Sequence, residues 1–388
     1  MHVLVSGAGI AGLTLAYCLD HAGIACTIVE KAAGPRSGGY MIDFFGSGHD
    51  AAARLDLLPD LARIHYPISR LVFLREDGRE KFSVSYPVFR RLFDNRHFHF
   101  MRGDLERVLY EKVRGSVEIC FGASVEGLEQ DGSGVTVTLA DGSRRRTGLL
   151  VGADGLHSHV RSLAFGCEPA LTRYSGCNTA ACVIRDPPEL LRAADTFRML
   201  TAPGRQVSLY PMRGDAVAAC FVYKSEEPAG ETPAVEELRR VYAGMDWVVP
   251  PLLDRMDKAE VYFDSVSQVE IPVWSLDRVV LVGDAAWCVS LMAGQGAALA
   301  MAGAYILAEE LSAAGTDPLP ALKRYEQRLR PGIERIQKAG RSMAEWFVPG
   351  SRLRLEARDA ITRFAGIPAA GWLIKRAVAP ESVFRLSP

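Results

Sequence analysis

The sequence predicts an α/β protein with a discontinuous, Rossmann-like nucleotide-binding domain, an inserted and mainly antiparallel β-sheet domain, and C-terminal helices. Two observations support this prediction. Residues 2–30 and 278–314 each begin with an apolar strand that runs into a loop and a helix, so nucleotide-type elements lie near both ends of the chain. The stretches 70–100 and 175–272 instead contain strand patterns and hairpin turns. We therefore expect the sheet domain to interrupt the nucleotide domain.

Length and composition exclude several classes of function. The 388 residues suffice for two or three domains of roughly 150 residues each. Because 45 Lys and Arg residues are balanced by 46 Asp and Glu residues, the chain has no field that would attract nucleic acid or an anionic membrane. The 8 cysteines form no C-x-x-C pair, and no apolar stretch is long enough to cross a bilayer. We expect a cytoplasmic protein without nucleic-acid, membrane or obligate protein partners.

The first functional motif is the loop Gly7–Gly12, which follows the apolar strand Val3–Ser6 and precedes a helix. In this G-x-G-x-x-G pattern Gly7 permits a tight turn, Gly9 lets a pyrophosphate approach the backbone, and Gly12 lets the helix pack on the strand. A glycine-rich turn without a ligand is the alternative. The candidate cofactor residues of this region are Gly7, Gly9, Ile10, Ala11, Gly12, Glu30 and Lys31.

Glu30 ends the second predicted strand, 18 residues after Gly12. A carboxylate at this point accepts hydrogen bonds from ribose hydroxyls and repels a 2′-phosphate. The tightly bound nucleotide is therefore FAD or NAD, and the loop alone does not choose between them.

Two further segments resemble those of a known family. Residues 148–161 contain Asp154-Gly155, and residues 278–286 contain Gly283-Asp284. With the N-terminal loop, they are similar over nearly the whole chain to the para-hydroxybenzoate-hydroxylase-like, class A flavoprotein monooxygenases. The resemblance implies FAD as the bound cofactor and NADPH or NADH as a transient reductant. It also implies that Asp154 contacts the flavin ribose and that Asp284 hydrogen-bonds the ribityl chain.

Three other segments are placed near the cofactor with this resemblance. A helix that begins at Gly294-Gln295-Gly296-Ala297 would direct its positive end at the flavin ring, although close packing alone could explain its small residues. Arg102 matches the family's arginine beside the flavin diphosphate or ribityl chain, although an exposed helix arginine is more often solvated. Residues 36–43 resemble the loop near the dimethylbenzene edge, where the glycines alone indicate only a loop.

The resemblance further implies a reaction in which O2 adds to reduced flavin as a C4a-hydroperoxide, which hydroxylates or epoxidises an aromatic or polyketide-like small molecule. Leu291 departs from the pattern, because the family usually has proline there. Trp287 stands where histidine or another aromatic residue often occurs, and core packing is its main alternative role. Leu291 therefore keeps a second hypothesis open, a natural-product cyclase that uses FAD without redox turnover.

The substrate site is expected on the inserted sheet. Gln206, Ser208 and Tyr210 alternate with Val207 and Leu209, so the two sets should lie on opposite faces. We assign no catalytic residue. The candidate substrate-facing residues are Tyr210, Trp287 and Leu291.

The predicted domain boundaries follow the same patterns. The FAD-binding domain is expected at 1–70, 101–174 and 273–318, the substrate domain at 71–100 and 175–272, and C-terminal helices at 319–388. A hairpin is predicted between Val135–Leu139 and Leu149–Val151, with the charged run Arg144–Arg146 at its tip.

Overall fold

The computed structural model describes residues 1–35, 39–92, 94–166, 171–191, 195–364 and 382–385. Its strands are β1 (Val3–Ser6), β2 (Cys26–Glu30), β3 (Met41–Phe45), β4 (Arg70–Leu74), β5 (Glu80–Ser85), β6 (His97–Met101), β7 (Glu118–Phe121), β8 (Val125–Asp131), β9 (Gly134–Leu139), β10 (Arg144–Thr147), β11 (Leu149–Gly152), β12 (Thr172–Arg185), β13 (Thr196–Ala202), β14 (Arg205–Met212), β15 (Ala216–Lys224), β16 (Tyr262–Val269), β17 (Ser275–Leu276) and β18 (Val279–Leu281). Its α-helices are α1 (Ile10–His21), α2 (Ser47–Arg54), α3 (Leu58–Ile64), α4 (Tyr86–Leu92), α5 (Arg102–Val113), α6 (His159–Phe165), α7 (Ala234–Val241), α8 (Val249–Met256), α9 (Asp284–Trp287), α10 (Gly296–Ser312), α11 (Leu319–Phe347) and α12 (Arg352–Arg363).

A six-stranded sheet has the order β17-β18-β11-β1-β2-β7. All its pairs are parallel except the edge pair β17–β18. Its central strands are apolar and fully buried, as expected for a sheet covered on both faces. Because these strands come from the beginning, the middle and the later part of the chain, the sheet is discontinuous in sequence, and the predicted fold class is confirmed.

A seven-stranded sheet has the order β16-β12-β15-β14-β13-β4-β5, with β13–β4 as its one parallel pair. One face packs against α7 and α8 through an apolar cluster that includes Val207 and Leu209. Tyr210 belongs to different clusters, on the opposite face of β14. The alternation read from the sequence thus separates a helix-covered face from what we call the inner face, which carries Tyr210.

The predicted hairpin at residues 135–151 is corrected by the structure. The run Arg144–Arg146 lies in strand β10, which pairs with β9, rather than at a tip. Leu149–Gly152 pairs instead with β1 and β18 in the six-stranded sheet. The charges are tolerated in an exposed strand because Arg144 pairs across β9 with Glu129 on β8.

The remaining elements connect the two large sheets. Strands β3 and β6 form a two-stranded antiparallel sheet, and α10 packs against α1, α2 and α11. Across the described residues, we find no helix that combines the length and apolarity needed to span a membrane.

Candidate functional site

The N-terminal loop requires glycine at two of its positions for packing. Gly7 has a φ of +109°, and a Cβ on it would lie 2.6 Å from the carbonyl oxygen of Ala153. A Cβ on Gly12 would lie 1.9 Å from the carbonyl oxygen of Gly7. At Gly9 the nearest atom would be 3.5 Å away, an ordinary contact. The protein itself therefore leaves room at Gly9, where a nucleotide pyrophosphate is expected to approach.

The start of α1 is suited to bind an anion. Its N-cap is Gly9, which offers no side chain to the first helical N–H groups. The first turn, with Ile10 and Ala11, can therefore donate backbone hydrogen bonds to phosphate oxygens, and the helix dipole adds a positive potential there.

Glu30 fixes the loop and lines the cavity beside it. One of its carboxylate oxygens accepts a hydrogen bond from the Ala8 N–H at 2.8 Å, and the other accepts one from the Ala32 N–H at 2.8 Å. Lys31 lies in the same wall. The acid at the end of β2 thus holds the glycine loop against the second strand as well as offering oxygens to a ribose.

The cavity beside this loop has a volume of about 360 Å³. Its wall includes Gly9, Arg102 and Asp154, which come from three separate segments. The Arg102 guanidinium at the start of α5 lies 2.9 Å from a carboxylate oxygen of Glu106, close to Gly9. A cation at this point fits the diphosphate of a dinucleotide.

Asp154 is held by the helix that follows it. Its carboxylate accepts hydrogen bonds from the Ser158 hydroxyl at 2.5 Å and from the Val160 N–H at 3.0 Å. The nearby Arg161 is fully buried and donates to the carbonyl oxygens of Leu156 at 2.6 Å and Ala285 at 3.0 Å. Sequence reasoning gave Arg161 no such role, because nothing in its local pattern shows that it ties the Asp154 loop to the Asp284 loop.

Asp284 begins α9, directly after Gly283 with its φ of +68°. Burial raises the pKa of Asp284, and the Arg102 charge acts in the opposite direction. A Cβ on Gly283 would lie 3.0 Å from the Ala11 Cβ, and one on Gly296 would lie 3.7 Å from Asp284 Oδ1. The starts of α1 and α10 therefore both lie close to the Asp284 loop, as one extended cofactor spanning them requires.

The segment before α10 turns without a proline. Leu291–Ala293 forms a 3-10 turn in which the Gly294 N–H donates to the Leu291 carbonyl oxygen at 2.9 Å. The backbone of Gly294 is in the left-handed region, with a φ of +64°. Gln295 is the buried N-cap of α10 and makes no side-chain capping hydrogen bond. Ala297 lies in the first turn of that helix. Leu291 is partly buried and packs in a cluster with Met292.

The other two candidate substrate-facing residues lie in different surroundings. Trp287 is 2 % exposed, and its ring centroid lies 4.5 Å from that of Trp274 and 5.8 Å from that of Tyr325. Trp287 is therefore a core residue, which corrects its substrate-facing assignment. Tyr210 stacks on Phe197 with centroids 4.0 Å apart and lies on the inner face of the seven-stranded sheet.

That inner face meets the cofactor site, because Leu291 packs in one cluster with Cys220 of β15, and the carbonyl oxygen of Tyr40 accepts a hydrogen bond from the Arg102 N–H at 2.9 Å. Burial raises the pKa of Tyr40 to about 12, and Arg102, Asp284 and Cys220 also act on it. The Tyr40 ring lies 5.6 Å from that of Tyr262, at the edge strand β16. The sequence did not identify Cys220 and Tyr262 as candidate site residues. Strand alternation was the only available signal, and it predicts which face of the sheet a residue lies on but not whether that residue belongs to a site.

The residues present fit FAD. Gly7 and Gly12 are required by close packing, and Gly9 between them leaves room for a ligand. Glu30 ends β2, and Asp284 lies between the starts of α1 and α10. The cofactor, when bound, would be held by Glu30, Arg102, Asp154 and Asp284 together with the starts of α1 and α10.

Comparisons with known proteins agree with this geometry. The profile of the FAD binding domain family matches residues 95–339. A flavin-dependent monooxygenase of Legionella longbeachae is 30% identical and covers 89% of this chain and 89% of its own length. The crystal structure of tetracycline destructase Tet(55) is 29% identical, covers 98% of each chain and gives a TM-score of 0.81.

The crystal structure of Klebsiella pneumoniae HpxO, complexed with FAD and uric acid, is 25% identical, covers 94% of this chain and 93% of that one, and gives a TM-score of 0.78. Over almost its whole length the chain thus shares sequence and fold with flavin-dependent hydroxylating enzymes. It belongs to the para-hydroxybenzoate-hydroxylase-like family of FAD-dependent monooxygenases.

Proposed function

We propose that the protein uses NAD(P)H and O2 to hydroxylate or epoxidise an aromatic or polyketide-like small molecule. The observation that supports this most directly is the contact between the cofactor site and the inner face of the seven-stranded sheet, where Leu291, just before α10, packs in one cluster with Cys220. The structural neighbours are named for tetracycline or were solved with uric acid, and both compounds are fused-ring molecules. We expect a ring substrate of similar shape to lie between the Asp284 loop and this inner face.

Bound FAD, once reduced by NAD(P)H, supplies the activation of O2 and the transfer of one oxygen atom to the substrate. The chain's own residues orient and enclose the reactants. The start of α10 favours negative charge beside it, through the helix dipole and its uncapped N–H groups. Tyr40 and Tyr262 present aromatic surface beside the cofactor site, and Tyr210 lies among apolar side chains on the inner face, which favours an aromatic ligand there.

The test is a coupled assay of the FAD-loaded protein. Oxidation of NADH and of NADPH is followed under air with a panel of phenols and fused-ring polyketides, with isotopically labelled O2 and mass analysis of products. We expect substrate-stimulated reductant oxidation and one labelled oxygen atom per product. Product formed without O2 and without reductant would instead identify the cyclase that the sequence alone left open, a hypothesis that relatives named monooxygenases do not favour.

A further inference from the structure

A cluster of polar side chains lies outside the cofactor site, on the small sheet formed by β3 and β6. Asp43 is paired across this sheet with His99, and His97 lies on the same face two residues earlier. Asp43 Oδ1 is 3.2 Å from His97 Nε2 and 2.6 Å from His99 Nδ1. The Tyr86 hydroxyl is 2.5 Å from His97 Nδ1. The two imidazoles thus hold one carboxylate in a fixed position.

This carboxylate faces a space and is not packed away. The Asp43 side chain is 41% exposed, whereas those of His97 and His99 are 1% and 3% exposed. Asp43 therefore presents its carboxylate to accessible space, with its two histidines buried behind it.

Asp43 lies beside residues of the proposed substrate site. Tyr86, whose hydroxyl contacts His97, belongs to one apolar cluster with Tyr210, and Met41 and Met101 belong to another cluster with Tyr210. On the cofactor side, the Arg102 N–H donates to the carbonyl oxygen of Tyr40 at 2.9 Å, directly before β3 begins. Asp43 therefore lies next to the inner face of the seven-stranded sheet, on the strand that follows Tyr40.

The carboxylate is ionised at this position. Burial alone would raise the pKa of Asp43, but the charge of His99 and the hydrogen bonds with His97 and His99 outweigh burial and hold that pKa well below its usual range. The other titratable groups that face the cluster are Tyr86 from α4, Tyr210 from β14, His65 stacked 6.1 Å from His99, and Arg90, whose charge acts on His97. The flanking wall is apolar, with Met41 and Met101 buried on the same strands. A fixed anion in such a wall attracts hydrogen-bond donors and repels other anions.

We propose that Asp43 anchors a hydrogen-bond donor of the substrate, a hydroxyl or an amino group, and excludes substrates that carry a carboxylate at that end. His97 and His99 are positioning residues that hold the carboxylate. The inference rests on the proposed function only for the identity of this region as the substrate site, and it names the class of substrate that the site accepts.

The test compares three probes of one shape, phenethylamine, 2-phenylethanol and 3-phenylpropionate. Each is titrated into the full-length, FAD-loaded protein, and binding is read from the visible absorption of the flavin, without NAD(P)H and without turnover. We expect the amine and the alcohol to bind at least about 10-fold more tightly than the carboxylate, the difference of one charge-assisted hydrogen bond. In Asp43→Asn this preference should fall to less than about 3-fold.

Glu270→Gln serves as the matched control, because it removes the same charge from a residue that pairs with Arg341 at the surface. It should keep the wild-type order. Tighter binding of the carboxylate to the wild type, failure of both donor probes to bind, or an unchanged preference in Asp43→Asn would each overturn the inference. So would one equivalent of zinc or iron in the purified wild type that is lost in Asp43→Asn. If the variant does not fold, the wild-type order still decides, and because no turnover is involved, the result is separate from that of the oxygenation assay.

Discussion

The cofactor loops and the proposed substrate site are built by different means. At the loops, backbone geometry sets the requirement: a Cβ on Gly12 would lie 1.9 Å from a carbonyl oxygen, and the positive φ of Gly7 and Gly283 favours glycine. The proposed substrate site instead depends on side chains such as Asp43 and Tyr210, which lie on separate strands that no fixed spacing connects. A site that depends on backbone shape carries a short sequence signature, whereas a site assembled from distant side chains does not.

The largest expected effect concerns the backbone side of this comparison. In Gly12→Ala the added methyl group overlaps the Gly7 carbonyl oxygen, so α1 must move away from β1. We expect the protein to lose more than about 3 kcal/mol of stability, or to fail to fold, and to purify without FAD. Thermal unfolding and the flavin released by acid measure both effects.

Gly115→Ala is the control for that change. A Cβ there would meet nothing within 4 Å, and its φ is not in the left-handed region. Its stability should change by no more than about 0.5 kcal/mol. Equal stability and equal FAD content in the two variants would mean that the loop is not shaped by this contact.

The second prediction separates the two cofactor carboxylates. Burial raises the pKa of Asp284, so the apoprotein gains nothing from its charge, and Asp284→Asn should leave apoprotein stability unchanged or higher. Its FAD dissociation constant should rise about 10- to 150-fold, because a charge-assisted hydrogen bond to the ribityl chain is lost.

Asp154→Asn should behave differently, because the carboxylate of Asp154 already accepts hydrogen bonds from Ser158 and Val160. We expect the apoprotein to lose about 1 kcal/mol of stability, as in the loss of a helix cap. Urea unfolding of both apoproteins, with FAD titrations, gives the two quantities. If Asp284→Asn destabilised the apoprotein as much as Asp154→Asn does, the division between binding and structural carboxylates would be wrong.

The contrast also explains what the sequence could predict. The fold class followed from apolar strands and glycine loops, because both are local, and the alternation of β14 placed Val207 and Tyr210 on opposite faces. The hairpin tip at Arg144–Arg146 was wrong because ion pairs across an exposed sheet are not visible in a local charge run. Trp287 was misplaced for a related reason: its neighbours Trp274 and Tyr325 are brought to it only by the tertiary fold.

His97 could have been noticed as part of a His-x-His pair, which places two imidazoles on one face of a strand. Its partner Asp43 could not, because the two strands are separated by more than 50 residues and three helices. Asp43 and His97 can therefore be recognised as neighbours only once the small sheet of β3 and β6 has formed.

The third prediction uses the pH dependence of stability to test the cluster of Asp43, His97 and His99. Burial lowers the pKa of His97, so the unfolded chain binds a proton there more readily than the folded protein does. Stability from neutral His97 is fully present above pH about 6.5 and is lost as pH falls below that value. His97→Gln should lose about 1–3 kcal/mol at neutral pH, since the contact with the Tyr86 hydroxyl disappears, and should show a shallower loss on acidification. Urea unfolding at pH 7.5 and 5.5 measures both; parallel pH curves would contradict the assignment.

The smallest expected effect compares two hydroxyls on opposite faces of the seven-stranded sheet. In Tyr210→Phe the ring keeps its stacking on Phe197, and only the phenolic hydroxyl on the inner face is removed. Stability and FAD affinity should therefore stay within about 0.5 kcal/mol of wild type. The KM of the substrate, or the dissociation constant of 2-phenylethanol, should change severalfold.

In Tyr242→Phe the lost hydroxyl donates to the carbonyl oxygens of Gln206 and Val222, both at 2.9 Å, on the helix-covered face. That variant should lose about 1 kcal/mol of stability with ligand binding unchanged, because a buried hydrogen bond stabilises the fold without touching the cavity. The reverse pattern, with ligand binding sensitive to Tyr242 and indifferent to Tyr210, would place the substrate on the other side of the sheet.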